Sequence, residues 1–232
     1  DRHGSRLALV GLHPQDGQDG VATAASQARL DRWRAVHDDL NQTPAFLVEG
    51  ETPLVGPEVW PEVTRRMLEL ESSRSAHDSM SLTAAREGDV IHLSITAPAP
   101  SEGRQLTLML LEHGRSSSAA YGVEAEAGST YDRVLVELHT KAANGTWSSI
   151  CDGLCSTTFN GSEHASLGVE QGDPFSLVLI DETADGHLSA SSTHSAGVLE
   201  LAVRPSSVAS GEDHRWALAT AMLAGGVAVA AW

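Results

Sequence analysis

Apolar residues along this chain change their period near residue 72, from helix-like spacing before it to strand-like alternation after it. Residues 6–12, Arg-Leu-Ala-Leu-Val-Gly-Leu, form a short apolar run of the buried-strand type, closed by the turn-rich stretch Pro14 to Gly20. Between Ala25 and Leu40 the positions Leu30, Trp33, Val36 or His37, and Leu40 recur at helical spacing. Arg29, Asp31, Arg32, Arg34 and Asp38 fall mostly on the other side. Thr43-Pro44 opens a strand through Ala-Phe-Leu-Val, Glu49-Gly50-Glu51 turns the chain, and Pro53-Leu54-Val55-Gly56 returns as a short antiparallel partner. The spacing predicts a second helix from about Glu58 to Glu71, with Trp60, Val63, Met67 and Leu70 on one stripe and Pro61 in its first turn.

Beyond Ser72, Met80 to Thr83 and Val90 to Ile95 alternate around Arg86-Glu87-Gly88-Asp89, which predicts a hairpin. Further strands are expected at Leu106 to Leu111, Arg133 to Thr140, Thr146 to Ile150, Phe175 to Ile180, Leu188 to Ser192 and Val198 to Val203. The polar, aperiodic stretch Ser72 to Ser79 marks the expected boundary. The fold class is therefore α+β: a partial α/β unit over 1–72, then an antiparallel β-sandwich over 73–232. The uncharged tail Trp216 to Trp232 falls slightly short of the ~20 residues a bilayer core needs. With Gly225-Gly226 inside it, the tail reads as a hairpin of Trp216 to Leu223 and Val227 to Trp232. A membrane span is the second reading.

Composition narrows the partners. With 31 acidic against 15 basic residues and a net charge of −16, the chain lacks the basic stripe that phosphate backbones or anionic bilayers select. Nucleic acid is excluded on that ground, and a protein or peptide is the partner class that remains. Lys141 is the lone lysine; every other cation is arginine.

Candidate chemistry is sparse. Cys151 and Cys155, in Cys-Asp-Gly-Leu-Cys, stand close enough for a turn at Gly153 to join them in a local disulfide; free thiols and a redox pair are the alternatives. A disulfide would favour an oxidising compartment. Zinc would need two more ligands at recognisable spacing, and none lies nearby along the chain, so no metal and no cofactor is expected. The eleven histidines are scattered. His187 and His194 with Asp181 and Asp185 sit on one expected hairpin, where Asp181 to Gly186 resembles a calcium loop less than it does a turn. Thr183 replaces an oxygen-rich ligand, and Ser192 stands where a bidentate glutamate is needed. Asn144-Gly-Thr and Asn160-Gly-Ser read first as turns. No nucleophile elbow, zincin motif, Walker loop or dinucleotide fingerprint is present, and no catalytic residue is assigned.

Thr43-Pro44, the buried strand after it, the return to Gly56 and the closing helix resemble the second half of a thioredoxin fold. The wider layout is similar to a family of secreted bacterial thioredoxin-like proteins, of unknown function, that carry a β-domain after the thioredoxin unit. The matching pieces are Leu7 to His13, the helix before Thr43, the Met80 to Ile95 hairpin and, more loosely, Gly128 to Trp147. The resemblance implies a cis Thr43-Pro44 bond, with Thr43 and Pro44 as the substrate-binding residues, where an extended chain pairs beside a reactive sulfur. It also implies a strand and a Cys-x-x-Cys ahead of Leu7, and neither is in the chain. The 1–72 unit is therefore expected to be N-terminally incomplete, and His13 would face the missing cysteines or stand half in solvent. The expected function is a non-catalytic thioredoxin-like scaffold or binding protein of the cell envelope, secreted or periplasmic. The alternative is a thiol-disulfide oxidoreductase whose Cys-x-x-Cys lies upstream of residue 1.

Overall fold

The computed structural model describes residues 8–15, 20–73, 80–116, 130–168, 174–190, 195–203 and 219–221. Thr23, itself extended, accepts the Ser26 N–H on its hydroxyl at 3.0 Å and so starts helix α1, Ala24–Arg34. The helix ends short of the expected Leu40, because His37 turns to extended backbone before a 3-10 turn at Asp38–Asn41. Strands β1 (Ala45–Phe46) and β2 (Leu54–Val55) pair antiparallel, so the expected return exists in shortened form. A 3-10 turn at Pro57–Val59 leads into α2, Trp60–Ser73. Of its expected stripe only Val63 is buried, and Trp60 is 49% exposed.

The apolar run at 6–12 is not a strand over its described residues. It makes a single parallel bridge between Gly11 and Val134, with Gly11 N–H donating to the Arg133 carbonyl at 2.8 Å and Leu135 N–H to the Gly11 carbonyl at 3.1 Å. A Cβ at Gly11 would stand 3.1 Å from that Arg133 oxygen, so glycine permits the approach.

The rest of the fold is antiparallel sheet. β3 (Ser81–Glu87) and β4 (Val90–Thr96) form the expected hairpin. They are followed by β5 (Arg104–Glu112), β6 (Arg115–Ser116), β7 (Thr130–Tyr131), β8 (Val134–Lys141), β9 (Trp147–Cys151), β10 (Thr157–Phe159), β11 (His164–Gly168), β12 (Phe175–Thr183), β13 (Gly197–Val203) and β14 (Ala219–Ala221). One five-stranded sheet has the order β10-β11-β4-β3-β14 and the other β13-β12-β5-β8-β9, while β6 and β7 form a separate two-stranded ribbon. The chain is thus a mixed α+β fold dominated by antiparallel sheet. No strand forms at Leu188 to Ala190, which follow a 3-10 turn at Asp185–His187; the remaining two positions of that expectation lie outside the described residues. Of the expected C-terminal hairpin only β14 is described. It pairs with β3, and the rest of the hairpin lies outside the described residues. Among the described residues no helix is long and apolar enough to cross a membrane.

Burial explains the two kinds of strand sequence. β3 and β4 alternate, placing Leu82, Ile91, Leu93 and Ile95 in the core shared with Leu108 and Leu177 of the other sheet. β5, β8 and β12 are buried on both faces, which is why they read as almost continuous apolar runs. Their outer face carries a second cluster of Met109, Leu111, Leu135, Leu138 and Val178, closed by Ala25 of α1. The hydroxyls of Thr23 and Ser26 both donate to the Leu135 carbonyl, at 2.5 and 3.0 Å. α1, placed by sequence in the 1–72 unit, therefore lies on a sheet of the 73–232 unit.

Candidate functional site

Three places gather polar or reactive side chains. The first is the head of the β1–β2 hairpin. The Thr43-Pro44 bond is cis. The Pro44 carbonyl accepts the Gly56 N–H at 2.9 Å, which fixes the hairpin directly behind it. Thr43 and Pro44 are exposed, and among the described residues neither the N–H nor the carbonyl of Thr43 has a hydrogen-bond partner. His37 Nε2 donates to the Gly50 carbonyl at 2.8 Å and its ring stacks on Trp33, tying the turn of the hairpin to α1. On the other side, Phe46 meets the half-exposed Trp60 edge-on at 5.6 Å, leaving an aromatic face open beside the hairpin.

The second place is the corner where the chain leaves β9 for β10. Cys151 and Cys155 are joined by a disulfide, with Cα atoms 5.5 Å apart. Inside that loop, Asp152 Oδ1 accepts the Ala24 N–H at 3.0 Å, a carboxylate on the first turn of α1. Beneath the loop stand Glu137 and His139, 6% and 0% exposed. A β-bulge in β8 puts them there. Val134 and Val136 face the inter-sheet core, Leu135 and Leu138 the outer cluster, and the register with β5 shifts between Leu110 and Leu111. The bulge changes the phase of alternation, so residues 137 and 139 point towards β10 instead of lying under α1. The His139 ring accordingly packs edge-on against Phe159 at 5.2 Å, and Phe159 stacks on Trp147 at 4.3 Å.

Hydrogen bonds saturate this pair. Glu137 Oε1 accepts from the Ser156 N–H and hydroxyl, both at 2.6 Å, and Oε2 from the Thr157 N–H at 3.2 Å and His139 Nε2 at 3.1 Å. His139 Nδ1 meets the Ser149 hydroxyl at 2.8 Å. Burial opposes the charge on Glu137, but the donors from His139, Ser156 and Thr157 outweigh it and hold the carboxyl down at about 2. Candidate ligand atoms of Glu137, His139 and Cys155 all lie within 4.8 Å of one another. Spacing along the chain offers no ligand beside the cysteines; the bulged register supplies two.

The third place holds the residues of the supposed calcium loop. Asp181 pairs with Arg104 at 2.7 Å, and Asp185 pairs with Arg32. Between them, buried Glu182 receives both Arg29 nitrogens at 2.6 and 2.7 Å and the Thr107 hydroxyl at 2.5 Å. Burial would raise the Glu182 carboxyl, but Arg29 and Arg32 hold it well below the usual carboxylate range. These acids are bound by arginine side chains: Glu182 and Asp185 tie α1 to β12 and the turn after it, and Asp181 ties β12 to β5. The helix consequently buries Arg29 with Ala25, Ser26 and Trp33, correcting the expectation that its arginines lie on the open side.

His13 stands edge-on to Tyr131 at 5.1 Å, and His194 lies outside the described residues. Among the described residues no hydrogen bond or ion pair joins Thr43-Pro44 to the disulfide corner. No family model matches the chain, and no curated protein matches it. Among solved structures it is similar to a protein of Agrobacterium tumefaciens known from an X-ray crystal structure, with a TM-score of 0.47 and 13% identity over 87% of this chain and 79% of that one.

Proposed function

We propose that the chain is a non-catalytic, thioredoxin-like binding protein of the secreted or periplasmic space, which docks an extended segment of a protein partner beside Thr43-Pro44. The observation that carries this reading is the exposed Thr43, whose backbone N–H and carbonyl are both without a partner among the described residues, directly ahead of a fixed hairpin. An extended chain pairs with such an edge through its main chain and takes specificity from a neighbouring side-chain surface. The Phe46–Trp60 face provides that surface. The strand-strand-helix order of β1, β2 and α2 agrees with the second half of a thioredoxin fold. The Cys151–Cys155 disulfide stands at the β9–β10 corner, and among the described residues no hydrogen bond or ion pair links it to this edge.

The test is selection of linear decapeptides on the purified chain, followed by calorimetric titration of the selected peptides. Trp60→Ala should weaken binding by about 10-fold or more, since aromatic anchors dominate such interfaces. The chain should also fail to accelerate reduction of insulin by dithiothreitol. Acceleration would replace this reading with the oxidoreductase alternative, and peptides insensitive to Trp60→Ala would remove the docking edge.

A further inference from the structure

We propose that the Cys151–Cys155 disulfide closes a metal site, and that its reduction opens a set of two cysteines, one histidine and one glutamate for one borderline-soft divalent cation of the zinc class. Three of the four ligands already converge, since atoms of Glu137, His139 and Cys155 lie within 4.8 Å of one another. Cys151 is the fourth, opposite Glu137 in the β8–β9 register and covalently joined to Cys155. Two thiolates, one imidazole and one carboxylate are a donor set that tetrahedral zinc accepts, and three residues between the cysteines fit the usual chelating spacing.

The backbone keeps the sulfurs in place when the bond between them breaks. Cys151 is the last residue of β9 and is held by β8. Cys155 precedes Ser156 and Thr157, whose N–H groups are anchored on Glu137 and whose strand continues into the β10–β11 pair. The imidazole also has its outer support, because the Ser149 hydroxyl lies on Nδ1 and can accept its proton while Nε2 turns its lone pair to a cation. Glu137 would exchange the His139 contact for the ion and keep its bonds to the Ser156 and Thr157 N–H groups.

A dithiol reductant supplies the redox step. One of its thiolates attacks a disulfide sulfur, the other cysteine leaves as thiolate, and the second reductant thiol resolves the mixed disulfide. Two electrons and two protons pass to Cys151 and Cys155, and the reductant ends as a disulfide. Cation binding then releases the two thiol protons to solvent. Oxidised, the sulfurs are poor ligands and the site is shut.

Cobalt(II) is the probe. The chain reduced with a phosphine and desalted without oxygen should bind one cobalt(II) ion with a thiolate-to-cobalt charge-transfer band, and zinc(II) should abolish the band. The oxidised chain should show none. Ser149→Ala should weaken binding by about 10-fold, as loss of an outer-shell partner does, and His139→Ala by more than about 100-fold. The proposal fails if the reduced chain shows no such band, or if His139→Ala and Glu137→Gln bind cobalt(II) as tightly as the parent, which would leave a cysteine pair acting alone. It fails equally if circular dichroism shows that the reduced chain has lost its sheet, since the ligands would no longer converge.

Discussion

Replacing Glu182 with glutamine removes the negative charge that two buried arginines share. The Glu182 side chain is 3% exposed and that of its bidentate partner Arg29 8%, and Arg32 approaches the second oxygen at 3.6 Å. Glutamine keeps one acceptor for Arg29 and Thr107, but it sets an amide N–H against the Arg29 nitrogen now 2.7 Å from Oε2. Leaving one member of a buried pair uncompensated costs about 3–5 kcal/mol. Urea unfolding at pH 7 should show that loss as a lower midpoint with an unchanged slope, followed by circular dichroism and tryptophan fluorescence together so that a partial loss of α1 would be seen. Arg29→Met in the Glu182→Gln background should cost less than the sum of the two single changes, with a coupling of about 0.5–3 kcal/mol. The folded carboxyl sits below its ordinary 4.5. Its contribution is therefore complete above that value and is lost as pH falls towards the folded value, so the gap between parent and variant should be flat near neutrality and should close in acid. A loss below about 1 kcal/mol, or a gap that widens as pH falls, would refute the claim that this cluster holds the helix to the sheet.

Three further outcomes follow from the same packing. Cys151→Ser with Cys155→Ser opens a loop of sequence separation 4, and loop-closure entropy sets the loss at roughly 2 kcal/mol by urea titration, small enough for the fold to survive. Thr23→Ala removes the cap on Ser26 N–H and one donor to the Leu135 carbonyl; it should cost about 1–2 kcal/mol, and Thr23→Ser should restore most of it. Leu177→Ala, at a fully buried position in the inter-sheet core, should lower stability by about 2–5 kcal/mol in the same assay.

Strand positions were legible where burial is simple. Alternation in Ser81 to Thr96 reflects one buried face, and the unbroken apolar runs of β5, β8 and β12 reflect two. Other features depend on partners far along the chain. Arg29 and Arg32 look like solvent-facing charges until Glu182, 153 residues beyond Arg29, arrives to neutralise them. The β10–β11 hairpin is faint in the sequence because its strands are short and carry few apolar residues, with Asn160-Gly161 as the main local sign of a turn. The approach of Glu137 and His139 to the cysteines rests on a bulge whose trace in sequence is faint: Leu138 follows Leu135 at an odd spacing for a strand, yet both belong to the outer cluster. Thr43-Pro44 was visible as a motif, while the fixed hairpin behind it and the open Trp60 beside it came from tertiary packing.

The central claim is that the backbone of Thr43 is a docking edge for an extended chain. Its most direct test is a nuclear magnetic resonance titration of the isotope-labelled protein with a selected decapeptide. Docking predicts that the amide signals of Thr43 and Ala45 and the indole signal of Trp60 move together to saturation, and that the Thr43 amide becomes protected from exchange. Saturating binding that leaves those three signals in place, with shifts confined to the sandwich, would contradict it.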